Sequence, residues 1–266
     1  MSALEARGLA AGYAGQPVIE GLDLTVPQGR FTALLGPNGC GKSTLLRTIG
    51  GQQALLAGEI RLQGAPLAAL GPKARARRIA MLAQSAQAPE GLTVEDLVRQ
   101  GRYPHRTLLG GWTAEDSARV EEALQLTRMT PLRDRLLDSL SGGQRQRTWI
   151  AMTLAQQGEI LLLDEPTSYL DPAHQLEVLS LVRDLIARQG VTVVAVLHDL
   201  NQAARYADHM VLLRQGVIRD EGPPDRVLTP HRVREVFGID VRIMEDPETG
   251  TPMCIPKRDQ PVTMDG

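Results

Sequence analysis

Short, continuous apolar runs rich in β-branched residues recur along this chain, and each gives way to a longer stretch with helical spacing. Phe31–Leu35 precedes a helix opening at Lys42, Ile160–Leu163 precedes one after Pro172, and residues 191–197 precede one around Leu200–Tyr206. A run that is apolar at every position suits a strand buried on both faces. The pattern therefore predicts a mostly parallel sheet covered by helices, an α/β fold. Residues 22–26 instead alternate apolar and polar side chains, which predicts a small N-terminal antiparallel β subdomain.

Between about residues 89 and 157 the strand signals disappear. Thr93 with Asp96, and Thr113 with Asp116, place an acid three residues after a hydroxyl cap, an approximate capping box that opens a helix. An α-helical subdomain over about residues 86–157 is expected, with a further helix over 146–157. The polar, Gly-rich residues 101–111 are expected to form an exposed loop. After Gly238 the pattern thins to a hairpin, residues 241–244 and 252–255, turning through Thr249 and Gly250; the last ten residues are expected to fray.

Composition narrows the function classes. In 266 residues, 29 Lys and Arg face 31 Asp and Glu, a net charge of −2, so no strong positive field draws in nucleic acid. Two Trp, four Tyr and two Phe are too few for repeated base-stacking platforms or for membrane-interface belts. The apolar runs are strand-sized, far short of the roughly 20 residues a bilayer span needs. No secretory signal is visible at the start, and two cysteines, Cys40 and Cys254, fit a reducing cytosol.

The chemistry begins at Gly36, Pro37, Asn38, Gly39, Cys40, Gly41, Lys42 and Ser43, which fit G-x-x-x-x-G-K-[ST] between a buried strand and a helix. The glycines let successive N–H groups point at one phosphate chain, and the helix N-terminus adds partial positive charge. Lys42 would reach the β and γ phosphates, Ser43 would bind Mg²⁺, and Thr44 would donate to phosphate. The motif points to ATP or GTP. Ile160–Leu163 then ends in Asp164 and Glu165 at the carboxyl edge of the sheet, where ligands of open α/β folds collect. Asp164 is the candidate Mg²⁺ ligand and Glu165 the candidate general base for an attacking water. An acidic helix cap is the plainer alternative for this pair alone.

Leu140, Ser141, Gly142, Gly143 and Gln144 resemble the signature of the ABC ATPase family. The resemblance implies a P-loop NTPase (RecA-like) core with an N-terminal antiparallel β subdomain and an inserted α-helical subdomain. It implies that the signature of one copy covers the γ-phosphate of the ATP held by a second, so that two copies clamp two nucleotides head to tail. Tyr13 resembles the family's adenine-stacking aromatic, although a Tyr packed in a turn beside Gly12 and Gly15 is an alternative. Gln84 is similar to the glutamine that contacts Mg²⁺ and water, and alone would read as a surface residue. Asp171, in Ser168-Tyr169-Leu170-Asp171, resembles the loop that crosses the dimer interface and doubles as a cap before Pro172. His198 resembles the histidine that contacts the γ-phosphate and orients water; a satisfied core histidine is its alternative. Cys40 lies inside the phosphate loop, so modification of its thiol is expected to block nucleotide binding, with ATP protecting.

The resemblance covers about residues 4–237, giving an ABC ATP-binding domain over 1–238 and a short hairpin and tail over 239–266. Residues 101–105, 140–152, 168–175 and 197–206 are similar to the ferric-siderophore branch of the siderophore, haem and cobalamin importers. That implies an ATPase subunit energising ferric-siderophore uptake, paired with a second copy of itself and two transmembrane permease subunits. A periplasmic or lipid-anchored substrate-binding protein would be served through the permease, and the chain would sit peripherally on the cytoplasmic face of the inner membrane. The implied cofactors are ATP and Mg²⁺. A haem or cobalamin importer is the alternative, and a soluble ABC ATPase acting on nucleic acid or the ribosome is the alternative of a different class. The permease is expected to dock near Gln84 and residues 89–106, with Tyr103 and His105 at the contact.

Overall fold

The structure, a computed structural model, describes residues 1–84, 88–107 and 110–258. The expected start of the helical subdomain near residue 86, part of the expected loop (108 and 109) and most of the expected frayed tail (259–266) lie outside the described residues. The chain divides into two units, residues 1–67 with 194–266, and residues 68–193. In chain order the elements are β1 (Ser2–Tyr13), β2 (Gln16–Pro27), β3 (Phe31–Leu35), α1 (Lys42–Ile49), β4 (Leu55–Leu62) and β5 (Ala65–Pro66). Next come α2 (Pro72–Ala76), β6 (Ile79–Leu82), α3 (Val94–Gln100), α4 (Ala114–Leu126), α5 (Gly142–Ala155), β7 (Ile160–Leu163) and α6 (Pro172–Gln189). The unit boundary falls within β8 (Thr192–Val196). There follow α7 (Leu200–Tyr206), β9 (His209–Arg214), β10 (Val217–Gly222), α8 (Pro224–Val227), α9 (Pro230–Phe237), β11 (Val241–Glu245) and β12 (Pro252–Pro256).

In the first unit, β1 pairs antiparallel with β2 and β4, and β4 with β5. Leu22, Leu24 and Val26 are buried and Asp23 and Thr25 exposed, the alternation that identified this strand. A second group of strands runs β10-β9-β3-β8, with β3 parallel to β9 and β9 antiparallel to β10. All five residues of β3 are buried, as a continuous apolar run demands. The β9–β10 hairpin, which the apolar runs do not announce, turns through Gln215 and Gly216, both at positive φ, the backbone a tight two-residue hairpin loop requires. The expected C-terminal hairpin forms as β11 and β12, with Val241 and Cys254 buried.

In the second unit, β6 and β7 pair in parallel, Ile79 opposite Ile160 through Leu82 opposite Leu163. Helices α3, α4 and α5 enclose a core that includes Val94, Leu97, Val120, Leu124, Met129 and Ala151. Both expected capping boxes form, the Thr93 and Thr113 hydroxyls accepting from the N–H groups of Asp96 and Asp116. Two expectations are corrected. Helix α5 opens at Gly142 rather than 146, because Ser141 and Gln144 close a third capping box and override the low helix propensity of two glycines. The segment expected as an exposed loop has Gly101, Arg102 and Pro104 buried, with a 3₁₀ turn over Tyr103–His105.

Arg102 explains that burial. Its Nε donates to Asp116 Oδ1 at 2.9 Å and one terminal nitrogen donates to the Ala155 carbonyl and Gln157 Oε1 at 2.8 and 3.0 Å. Burial acts to raise the Asp116 carboxyl, but hydrogen bonds from Arg102 and Thr113 outweigh it and bring the group from 3.8 down to about 2. A depressed carboxyl stabilises the fold above its ordinary value, and this contribution of about 2 kcal/mol is lost as pH falls from about 4 to 2. Arg102→Ala leaves a buried carboxylate without its cation and is expected to cost about 3–5 kcal/mol in urea unfolding. It should also flatten the acid limb of the stability profile.

Candidate functional site

The phosphate loop is shaped by close backbone approaches. Leaving β3, the chain places Gly36 where a Cβ would lie 2.1 Å from the Leu213 carbonyl oxygen and 2.8 Å from Cys40 Sγ. Gly41, at φ 105, caps α1 against the side chain of Ile19 and, as a glycine, brings no side-chain cap to the first N–H groups of the helix. Those groups are the donors a helix start offers to an anion. Asn38 and Gly39 form the exposed crest, with Pro37 and Ser43 half-buried. Lys42 is only 6% exposed, and its Nζ donates to the carbonyls of Gly36 and Pro37, both at 2.8 Å. The loop thus holds its own cation at the center of its curl.

Tyr13 ends β1 beside this loop. Its hydroxyl accepts from Thr44 Oγ1 at 3.4 Å while the side chain is 48% exposed, so an aromatic surface is open to solvent. His198 is exposed, which removes the alternative of a core histidine. Leu197 N–H donates to the Leu34 carbonyl at 3.1 Å, which sets His198 at the same carboxyl edge of the first unit's strands as Gly36.

In the second unit, Asp164 N–H donates to the Leu82 carbonyl at 2.9 Å, aligning Asp164 and Glu165 with Gln84 beyond the carboxyl ends of β7 and β6. Asp164 is buried and Glu165 half-buried at φ 54. Gln84 Nε2 and Ser168 Oγ both donate to Glu165 Oε2 at 2.8 Å. No local pattern in the sequence announces the bond from Ser168.

Ser141 caps α5, its hydroxyl oxygen accepting from Gln144 N–H while Gln144 Oε1 accepts from Ser141 N–H. The hydroxyl proton remains to donate, and Gly142 and Gly143 supply N–H groups that a helix start leaves without an intrahelical partner. Asp171 caps α6 and accepts from His174 N–H at 3.0 Å. Of the residues expected at a permease contact, Tyr103 is 72% exposed, while His105 Nε2 lies 2.8 Å from the Gln156 carbonyl and is half-buried.

Cys40 changes one expectation. Its thiol is buried, and burial pushes it above the ordinary range despite Lys42 Nζ 3.9 Å away. Thiol reagents are therefore expected to label Cys40 slowly in the folded chain near neutral pH and rapidly after unfolding, as read by the time course of thiol titration.

A family model described as ABC transporter matches residues 19–168. The ferric enterobactin transport ATP-binding protein of Escherichia coli strain K12 is 47% identical, over 95% of this chain and 93% of its own length. The iron(3+)-hydroxamate import ATP-binding protein of Bacillus subtilis strain 168 is 45% identical, over 96% of this chain and 95% of its own. Among solved structures, a dimeric bacterial ABC transporter cassette superposes with a TM-score of 0.73 at 27% identity, covering 83% of this chain and 98% of that one.

Proposed function

This chain belongs to the ABC transporter family as an ATP-hydrolysing subunit, and on that premise we propose that it energises import of a ferric siderophore complex. The observation that carries the ATPase reading is the phosphate loop, a glycine-shaped curl that keeps a buried lysine at its center and a glycine-capped helix start beside it. The cargo reading rests on the iron-chelate transport named for relatives matched over almost the whole chain.

Each residue has a physical task. The loop N–H groups from Gly36 to Thr44 and the Lys42 ammonium take the phosphates, and the open face of Tyr13 takes the adenine. Ser43, Gln84 and Asp164 would hold Mg²⁺. Their hard oxygens suit an ion that takes one or two carboxylates and completes its shell with phosphate and water. Among the described residues no group of three or more His, Cys, Asp or Glu could hold a metal ion. When held by these residues, the ion would supply positive charge against the phosphate oxygens. Glu165 takes the proton of the attacking water, and His198 orients that water against the γ-phosphate.

The Gly142 and Gly143 N–H groups and the Ser141 hydroxyl receive the γ-phosphate of a second copy. ATP thereby joins two copies and hydrolysis lets them part. On this reading residues 1–238 form the ATP-binding domain, with the helical subdomain over about 86–157, and residues 239–266 are a short addition. No helix among the described residues is long and apolar enough to cross a membrane. Attachment to the cytoplasmic face would be through two permease subunits docking near Tyr103.

Co-purification with its permease, reconstitution in liposomes and an ATPase assay with loaded binding proteins tests the proposal. A ferric siderophore should stimulate hydrolysis where haem and cobalamin do not. Stimulation by haem or cobalamin alone would overturn the cargo assignment, and stimulation by nucleic acid without a permease would overturn the importer reading.

A further inference from the structure

Within the second unit the signature glycines are packed against the segment that follows Glu165. A Cβ on Gly142 would meet Leu170 Cδ2 at 3.7 Å, an ordinary contact. A Cβ on Gly143 would lie 2.3 Å from His174 Cδ2 and 2.7 Å from Cγ, where no side chain fits. Gly143 is an early residue of α5 with no positive φ, so its backbone does not demand glycine; the imidazole occupies the space instead.

The ring is held in place. His174 Nδ1 lies 2.7 Å from Asp171 Oδ2, and His174 N–H donates to Asp171 Oδ1 at 3.0 Å, so one carboxylate fixes both ring and backbone. The ion pair from α5 to α6, Arg147 to Glu177 at 3.7 Å, is long and its carboxylate half-exposed, a weak constraint on how the two helices stand. Tyr169, between Ser168 and Leu170, is 96% exposed at φ 63 and takes no part in this packing.

We propose that His174 is the positioning residue of the signature, a wedge tethered by Asp171 that fixes where the Gly142 and Gly143 N–H groups stand when a second copy presents its nucleotide. The inference rests on the reading of the signature as a site for the partner's phosphate and adds the side chain that sets its geometry. Donors held in one arrangement before association need no ordering at closure, so loosening the wedge weakens pairing rather than nucleotide binding by one subunit.

The test uses the full chain carrying Glu165→Gln, with ATP-driven dimerisation read by light scattering. ATP affinity of the single subunit is read at concentrations too low for pairing. His174→Ala should leave that affinity within about twofold and weaken dimerisation about tenfold. His174→Phe keeps a flat ring over Gly143 without the tether and should fall between parent and His174→Ala. Gly143→Ala should be severe in the parent, yet cost much less when added to His174→Ala, because the atoms it collides with are gone. The assignment is overturned if His174→Ala dimerises like the parent, if the two losses multiply, or if single-subunit affinity falls by the same factor as dimerisation. Failure of the Glu165→Gln parent itself to pair on ATP would instead overturn the reading of the signature.

Discussion

Lys42→Ala is expected to lower ATP affinity by about 10²–10³-fold, measured by equilibrium binding of ATP to the folded variant. The ammonium is nearly enclosed and its hydrogen bonds go to the Gly36 and Pro37 carbonyls, so truncation acts twice. It removes the cation proposed to oppose the β and γ phosphates, and it leaves two carbonyls at the base of the curl without their donor. Buried charge partners are costly to delete because the remaining group has neither water nor counter-charge. A variant that folds and binds ATP like the parent would show that the curl, rather than its lysine, supplies the affinity.

Glu165→Gln is expected to keep ATP binding and lower turnover by about 10²–10⁴-fold, the range for loss of a positioned general base. The substitution preserves size, and the amide oxygen can still accept from Gln84 and Ser168, which now converge on Glu165 Oε2. It removes the capacity to take a proton from water. ATP-bound material should therefore accumulate, visible as a stoichiometric nucleotide load after gel filtration. Normal turnover by this variant would move the base to another residue.

Much of this site was legible because its elements are announced locally. Continuous apolar runs gave β3, β7 and β8, and glycine spacing gave the curl before α1. Hydroxyl and acid pairs gave the starts of α3 and α4. What escaped depends on partners distant in sequence or on competing local rules. Arg102 reads as a surface charge in a polar stretch until Asp116, Ala155 and Gln157 are found around it. At the start of α5 two local rules compete: two glycines argue against helix, while the Ser141 to Gln144 box argues for it more strongly. The wedge of His174 on Gly143 and the bond from Ser168 to Glu165 are pairwise packing facts, which neither periodicity nor propensity encodes.

The central claim, that ATP joins two copies of this chain through phosphate loop and signature, is tested most directly by the solution mass of the Glu165→Gln chain with Mg²⁺ and nucleotide. The account predicts the mass of two chains with ATP and of one chain with ADP or no nucleotide. A one-chain mass at ATP concentrations that saturate binding would contradict it.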